Sequence, residues 1–558
     1  MPNTDASRPL LSRGQKWTLV VSCLGVALVI GSMAALYTSL ADIAADTGAS
    51  QSQLTWIVDG YTLAVACLVL PAGAVGDRYG RRAVLLGGLV VFSAASAVPL
   101  VVQDPAWLIG ARALAGVGAA FVMPSTLSIM TAEFPAHQRP RAVAIWAGVA
   151  GSGAILGIFC SGLLLQLWSW QSIFVGLTAA GVVLLIAALT VSESLEYAHP
   201  DMDYVGSLTV AVAIGLIVIA LTEAPHRGWT DPLVLVLFAG GAVAAAIFAV
   251  VELRRAHPLL DLRLFADRGF GSGTLSITLQ FLVLFGVFYV LIQYLQLIVG
   301  YEPFRSALAL APVIVPIVGI SLLAPWLAER LGLRVLIVPG MLAIAAGIFL
   351  ASRLEIDSSY TSFLWALLIM GTGLGLSMAP ATAAIVAATP VEKQGVAAAV
   401  NDAAREVGAA VGIAIAGSVL AAGYTNRITP ALSSLPGPAR EPFSDSLAAA
   451  LQAADQSGPA REQLATIAKS AFMHGYEHAG VVLSGITVAS ALILAIWAPG
   501  RRDATGSNAE SRCDDQGPGT TASPHTHIHT DDDSVSMPDT HDASKASYQQ
   551  GERFDDST

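Results

Sequence analysis

The sequence predicts an all-α, polytopic membrane protein that crosses the bilayer about fourteen times. Of the 558 residues, 54% are hydrophobic and only 12% are charged, whereas about 25% charged residues are usual in soluble proteins. Apolar runs also recur along the chain at close to the ~20 residues that a helix needs to cross a bilayer. Nothing in the composition indicates a nucleic-acid partner.

The apolar runs alternate with short loops whose charges differ. We place spans at 17–40, 53–75, 83–103, 106–130, 141–165, 171–192, 204–223, 232–253, 271–299, 306–328, 335–353, 361–388, 396–423 and 476–498. With the N-terminus inside, most loop arginines, among them Arg139, Arg254 and Arg334, fall on one side. Because Lys and Arg are retained on the cytoplasmic side, both termini are predicted to be cytoplasmic.

A charged stretch at 73–82 joins the second and third predicted spans. Its glycines allow a tight turn and close helix approach, and its arginines favour a cytoplasmic loop. A loop that only anchors the topology has no use for an acid, so we expect a conformational latch; a plain anchor is the alternative. The predicted latch comprises Gly73, Asp77, Arg78, Gly80, Arg81 and Arg82.

The pattern Gly73-x-x-x-Asp77-Arg78-x-Gly80-Arg81-Arg82 resembles the signature between helices 2 and 3 of the major facilitator superfamily. The preceding residues 56–63 resemble the fourteen-helix drug:proton antiporter family, and the similarity spans roughly residues 15–500. This resemblance implies two six-helix bundles plus two extra spans, and transport by alternating access. It also implies that the loop acid pairs with arginines and helix ends in the outward-facing state.

The domain organisation is indicated by a second, weaker copy of this stretch later in the chain. Residues 330–334, Arg-Leu-Gly-Leu-Arg, resemble a worn copy, with Glu329 in place of the acid, as expected of a transporter built from repeats. We expect a cytoplasmic segment 1–16, an N-terminal bundle 17–192, linking spans 193–268, a C-terminal bundle 269–499 with an external loop 424–475, and a disordered acidic tail 500–558. The alternating tail histidines fit a polar low-complexity segment better than a metal site.

Two charged residues lie inside predicted spans of the first bundle. Asp59 is about 9 Å from the external surface, and Arg112 is at nearly the same depth in span 4. Because a carboxylate inside a span is costly, we expect Asp59 to carry protons or to balance a cationic substrate; an interfacial residue that reaches water is the alternative. Arg112 matches the family's span-4 motif, whose arginine is assigned to proton handling, and a structural hydrogen-bond donor is its alternative.

The start of predicted span 13 carries two more acids. Asp402 and Glu406 are four residues apart, and Arg405 is three residues from Asp402, so all three share one helix face. They predict either a second titratable, proton-coupling site or a self-neutralised cytoplasmic helix start, and the sequence leaves both open.

Span 5 carries glycines for close helix contact, Gly153, Gly157 and Gly162, and resembles the family's antiporter motif. The motif's proline is Ile158 here, which leaves strict antiport open. In span 1, Ser32 stands where the family pattern has an acid. Multiply cationic drugs are therefore less expected as substrates.

Polar residues in span 9 predict a substrate cavity. Tyr289, Gln293 and Gln296 follow i, i+4, i+7 spacing, which puts them on one face, and Ser32 is added from span 1. A largely apolar cavity with a few hydrogen-bonding groups suits lipophilic ligands. Hydrogen bonds between helices are the alternative.

Together these patterns predict proton-coupled efflux of lipophilic small molecules across the cell inner membrane. The alternatives are a dedicated exporter of an endogenous metabolite, such as a natural product or siderophore, and a membrane sensor that has lost transport. With no nucleotide-binding loop, metal quartet or nucleophile triad in the sequence, we expect no enzyme activity, cofactor or metal. The expected partners are the small substrate, protons and the lipid bilayer, and the expected state is a monomer.

Overall fold

The computed structural model describes residues 12–49, 51–135, 137–192, 203–255, 258–390, 393–432, 440, 442–444, 447–455 and 460–500. Within these residues the secondary structure is helical and contains no strand. The α-helices are α1 (Arg13–Ala35), α2 (Leu40–Thr47), α3 (Gln51–Tyr79), α4 (Arg81–Ala97), α5 (Pro105–Glu133), α6 (Arg139–Leu167), α7 (Gln171–Ala188), α8 (Tyr204–Arg227), α9 (Pro232–Arg254), α10 (Arg268–Gln293), α11 (Pro303–Leu310), α12 (Ile314–Leu331), α13 (Leu333–Ser352), α14 (Tyr360–Ala387), α15 (Gln394–Leu432), α16 (Leu447–Asp455) and α17 (Arg461–Trp497).

The predicted number of membrane spans is confirmed. In the described part of the chain, fourteen helical segments are long and apolar enough to cross a membrane, with α11 and α12 together forming one of them. Residues 1–11 of the predicted segment 1–16 and residues 501–558 of the predicted tail lie outside the described residues. Their prediction is therefore not addressed by the structure.

Two junctions differ from the predicted boundaries. Helix α3 continues through Asp77 and Arg78 to Tyr79, so the predicted loop is reduced to Gly80, whose φ of 99° starts α4. In the predicted loop 424–475, residues 447–455 form a separate helix, and residues 461–475 are helical as well. They are the first turns of α17, because the chain from Arg461 to Trp497 contains no proline to interrupt the helix.

The spanning helices outside α8 and α9 form two sets, which we call the N-half (α1 and α3–α7) and the C-half (α10–α15 and α17). The halves contact each other through α3 and α15, and through α6 against α11, α12 and α14. We call the membrane face where α3 ends and α15 begins the Asp77 face. The other is the opposite face.

The two halves repeat one structural device at the Asp77 face. Gly80 and Gly332 both have positive φ, 99° and 85°, and each is the N-cap of the following helix. Two residues later, Arg82 donates to the carbonyl of Leu189 at the end of α7, and Arg334 Nε donates to the carbonyl of Ala498 at the end of α17 (2.7 Å). Both arginines thus cap the last span of their own half, where a helix end carries partial negative charge.

Helices α8 and α9 form a hairpin beside the junction of the halves. Helix α8 packs against both α3 and α15. Trp229, after α8, donates from its indole nitrogen to Ser418 Oγ of α15 (2.9 Å), and Gly215 faces Cys67 of α3. The hairpin therefore contacts both halves.

A buried pair of acids fixes the base of this hairpin. Asp203 caps α8 by accepting from the Gly206 amide (2.7 Å) and is 3.0 Å from Arg255 Nη1. Glu252 of α9 accepts from the Leu260 amide (3.0 Å). The remaining oxygens, Asp203 Oδ2 and Glu252 Oε1, both flank Gly206 and have no hydrogen-bond partner among the described residues. One proton between them would let one acid donate to the other.

We expect Glu252→Ala to lower the thermal unfolding temperature of the purified protein, because it leaves the Leu260 amide without an acceptor and Asp203 Oδ2 without the neighbouring carboxyl, a loss of about 1–3 kcal/mol. Glu252→Gln should remain close to the parent, since its amide can still accept from Leu260 and donate to Asp203. Glu329→Ala, at an exposed acid of α12, is the control. Equal melting temperatures for the Ala and Gln variants would contradict this account.

Candidate functional site

Arg112 is held inside the N-half, and no acidic residue in the described part of the chain pairs with it. Its side chain is only 1% exposed. Nη1 donates to Ser32 Oγ (3.0 Å), Nη2 to the Ser32 carbonyl (3.2 Å) and Nε to the Ile57 carbonyl (3.3 Å). The guanidinium also lies 4.2 Å from the centre of the Tyr61 ring, a cation–π contact. Arg112 therefore links α1, α3 and α5.

Asp59 and Arg112, predicted to lie at nearly the same depth, do not form an ion pair among the described residues. No hydrogen bond or ion pair to the Asp59 carboxylate occurs among the described residues, although the two helices pack closely. Asp59 is only partly buried. The acid within its electrostatic range is Glu223 of α8, which forms an ion pair with Arg227 (2.6 Å). The sequence predicts similar depths for Asp59 and Arg112 along their helices. Depth alone does not determine which way a side chain points.

Three charged residues near the start of α15 form a buried cluster, which we call the triad: Asp402, Arg405 and Glu406. Their exposed fractions are 0%, 1% and 7%. Asp402 is eight residues into α15, about 12 Å from its start, so a self-neutralised helix start does not describe it. Arg405 Nη1 is 3.9 Å from Asp402 Oδ1, a long contact for an ion pair.

The triad is incompletely hydrogen-bonded. Asp402 Oδ2, Glu406 Oε2 and all three Arg405 nitrogens have no hydrogen-bond partner within the described residues. Asn401 Nδ2 donates weakly to Asp402 Oδ1 (3.4 Å), and Thr382 Oγ1 donates to Asn401 Oδ1 (3.1 Å). Two acids and one arginine leave one negative charge in excess, and such a charge is costly in a buried site. Binding of one proton would remove that excess.

Aromatic rings enclose the guanidinium of the triad. The Arg405 guanidinium is 4.7 Å from the centre of the Trp146 ring and 5.1 Å from that of Phe281. Phe281 belongs to the C-half, but Trp146 comes from α6 of the N-half. The indole nitrogen of Trp146 donates to Thr126 Oγ1 of α5 (3.1 Å). From the sequence, Arg405 was expected to share a helix face with Asp402 and Glu406, and no role was expected for Trp146.

Of the predicted cavity residues, Tyr289 and Gln293 are direct neighbours on α10. Tyr289 is 38% exposed, and Gln293 Nε2 donates to its carbonyl (3.2 Å). Ser32 is fully buried and its hydroxyl accepts from Arg112, so it lines no open surface in this structure. Gln296 lies in a π-helical turn, Tyr294–Ile298. The wider turn rotates Gln296 away from the α-helical i, i+7 register on which its assignment depended.

The span-5 glycines serve two contacts. Gly153 and Gly157 pack against Ile30 and Gly31 of α1, and a Cβ at Gly157 would lie 2.2 Å from the Gly31 carbonyl oxygen. Gly162 packs against Phe304 of α11, in the other half. Small residues account for the close helix packing of this motif. That packing is present here although the proline of the motif is not.

Asp77 joins the two halves at the Asp77 face. Its Oδ1 accepts from the Gly395 amide (3.0 Å) and its Oδ2 from the Val396 amide (3.2 Å), both in the first turn of α15. Arg81 Nη2 is 3.0 Å from Oδ1. A carboxylate at a helix N-terminus is favoured by the free amides and the helix dipole. A Cβ at Gly73 would lie 2.5 Å from the Gly395 carbonyl oxygen, so glycine is required for this approach.

Comparisons with known proteins agree with this architecture. The Multidrug resistance protein Stp of Mycobacterium tuberculosis is 32% identical over 424 residues, covering 76% of this chain and 79% of that protein. The Multidrug efflux pump LfrA of Mycolicibacterium smegmatis is 32% identical over 487 residues, covering 86% and 95%. The Tetracenomycin C resistance and export protein of Streptomyces glaucescens is 31% identical over 414 residues, covering 73% and 77%.

The fold agrees with that of solved transporters. The proton:xylose symporter XylE superimposes with a TM-score of 0.55 at 15% identity, covering 87% of this chain and 96% of that one; a likeness at this identity concerns the fold alone. The sequence profile of the Major Facilitator Superfamily matches residues 22–413. With fourteen spans, two contacting halves and this match, the chain belongs to the Major Facilitator Superfamily.

Proposed function

We propose that this protein exports lipophilic small molecules, such as antibiotics, drugs and dyes, from the cytoplasm in exchange for external protons, as a monomer and by alternating access. The observation that carries the proposal is the buried triad of α15, in which two acids share one arginine at the contact between the halves. The names of Stp and LfrA, a multidrug resistance protein and a multidrug efflux pump, support efflux of varied compounds.

The triad is suited to bind and release one proton. A group that is protonated in one conformation and ionised in another couples proton movement to the conformational change. The structure supports the triad over Asp59 as the main coupling site, because Asp59 forms no ion pair with any described residue that could be exchanged. Arg112, already bound by Ser32 and Ile57, would then hold the N-half together and take no direct part in proton release.

We assign the Asp77 face to the cytoplasm, with both termini there and the protein in the cell inner membrane. Arg81, Arg82, Arg139, Arg268 and Arg334 all lie at helix ends on that face, in agreement with the retention of basic residues inside. On this assignment the structure is the state closed to the cytoplasm, and the bonds from Asp77 to α15 form the latch that keeps it closed.

The substrate class follows from what the N-half lacks. With serine at position 32, Arg112 meets no carboxylate, and α1 offers no acid at this depth for a second positive charge on a substrate. Neutral or singly charged lipophilic compounds are therefore the proposed substrates. The alternative of dedicated export of one endogenous product is favoured by the similarity to the Tetracenomycin C resistance and export protein.

The proposal is tested by transport into proteoliposomes with an acidic lumen. Ethidium and puromycin are expected to accumulate while the gradient lasts, because protons leaving the lumen drive substrate in. Nigericin, which collapses the gradient, should abolish the accumulation. Accumulation that continues at equal pH would contradict proton exchange. If neither probe moves, but deletion of the gene retains a single product inside the native cells, the dedicated exporter is the correct assignment.

A further inference from the structure

The contact between Trp146 and Arg405 crosses the junction of the two halves. Trp146 is fully buried in the N-half, and its indole is oriented by the hydrogen bond to Thr126. Arg405 belongs to the C-half and carries the positive charge of the triad. The contact can therefore exist only while the halves are in a suitable relative position.

Arg405 has two competing kinds of partner. In the structure its guanidinium lies against the faces of Trp146 and Phe281, which attract a cation through the ring quadrupole. Its nitrogens make no hydrogen bond to the described residues, and the nearest acid oxygen, Asp402 Oδ1, is 3.9 Å away. A short rotation toward Asp402 and Glu406 would replace the aromatic contact by charge-assisted hydrogen bonds, which are stronger when the acids are ionised.

We propose that Trp146 is a positioning residue for proton coupling: its indole draws Arg405 away from Asp402 and Glu406 in the state closed at the Asp77 face, so that the triad retains its proton there. When the halves move and Trp146 leaves, Arg405 pairs with the acids, and the proton is released. This inference rests on the proposed proton exchange. It identifies Trp146 as the N-half residue through which the relative position of the halves controls proton release in the C-half.

Few other charges surround the triad. Tyr61 of α3 lies within electrostatic range of Glu406, with Arg112 of α5 behind it. Helix α10 contributes the Phe281 ring, and helix α14 contributes the neutral Thr382, which donates to Asn401. The charged residues of α8 and α17, at 223–227 and 461–478, lie toward the opposite face. Arg405 is therefore the cation positioned to control proton release from the two acids.

The test measures the conformational equilibrium directly and needs no substrate. Spin labels are placed at His137 in the N-half and Leu331 in the C-half, both exposed at the Asp77 face, in a cysteine-free full-length chain in nanodiscs. Distances between the labels from pH 5 to pH 9 give the ratio of closed to open protein. The parent should open at this face as pH rises, because loss of the proton turns Arg405 toward the acids.

Trp146→Leu should reduce the pH-driven change in the closed-to-open ratio by about tenfold, the size expected from one desolvated cation–π contact. Trp146→Phe, which keeps a weaker aromatic face, should give a smaller reduction. Thr126→Val removes the hydroxyl that orients the indole and should also give a smaller reduction. It replaces Trp146→Leu in the test if that variant does not fold. Trp170→Leu is the matched control, since Trp170 is equally buried but contacts Asp46 and Phe174; it should respond as the parent does.

An unchanged pH response in Trp146→Leu, or in both Trp146→Phe and Thr126→Val, would overturn the inference. The variant Asp402→Asn with Glu406→Gln separates this failure from that of the proposed function. If that variant loses its pH response while the Trp146 variants keep theirs, the triad is the coupling site and Trp146 does not position it. If that variant keeps its full response, the coupling site lies elsewhere, and both assignments fail.

Discussion

Replacing Asp402 by Asn and Glu406 by Gln in one chain is expected to reduce gradient-driven transport to the level of protein-free liposomes. Amides of the same shape preserve packing but neither bind nor release a proton at these pH values. The variant also leaves the positive charge of Arg405 without an acid in any conformation. Movement of substrate against its own gradient should therefore stop.

Exchange of substrate at equal pH is expected to survive in this variant, because it needs only reorientation of the loaded carrier and no net proton movement. The measurement is uptake of labelled puromycin into proteoliposomes, once with an acidic lumen and once with equal pH and unlabelled puromycin inside. Loss of both activities would indicate a damaged protein. Loss of the first alone supports the triad as the coupling site.

Asp59→Asn distinguishes the triad from the other acid that the sequence offers for coupling. Asp59 has no ion pair among the described residues, so its neutralisation is expected to leave the response to the gradient intact and at most to weaken binding of cationic probes. The same two uptake assays apply. If Asp59→Asn loses gradient-driven uptake while the double variant retains it, coupling belongs to Asp59 and the role of the triad is wrong.

The fold could be predicted because hydrophobic length is a local property of the sequence. Fourteen apolar runs and alternating basic loops are sufficient for the span count, and Gly332 and Arg334 are sufficient to suggest a repeat. The ends of the helices were harder to predict. Helix α3 continues past Gly73 and Gly76 because backbone hydrogen bonds in a membrane must be satisfied within the helix. Flexible residues such as glycine do not alter that requirement.

The site could be predicted only in part, because contacts across helices depend on rotation about each helix axis. Asp402 and Glu406 were identifiable as acids inside a span, and Asp77 as an acid in a basic stretch. The partner of Arg112 could not be identified from the sequence, because Ser32 and a backbone carbonyl can accept hydrogen bonds from an arginine as well as an acid does. Trp146 looks like any apolar residue until α6 and α15 are brought together, and the π-helical turn that displaces Gln296 has no recognisable sequence signal.

Asp77→Asn is expected to shift the protein away from the state closed at the Asp77 face. Asparagine carries no charge and has one acceptor oxygen, so it cannot accept from both the Gly395 and Val396 amides while also pairing with Arg81. Charge-assisted hydrogen bonds contribute about 1.5–3 kcal/mol each, and a loss of that size changes a two-state ratio by at least about tenfold. Expression and membrane insertion should be near normal, since the Asp77 carboxylate binds backbone amides and Arg81 and asparagine has the same size and shape.

Gly73→Ala should act in the same direction by a different route, because its Cβ would collide with the Gly395 carbonyl and hold α3 and α15 apart. Gly87→Ala, on α4 where a Cβ meets no atom within 4 Å, is the matched control. The measurement is the distance between spin labels at His137 and Leu331 at pH 6, with ethidium transport recorded in parallel. Both latch variants should populate longer distances and transport more slowly, whereas Gly87→Ala should match the parent. A parent-like distance distribution in Asp77→Asn would mean that the bonds to α15 do not determine the closed state, and that the close packing of Gly73 alone maintains it.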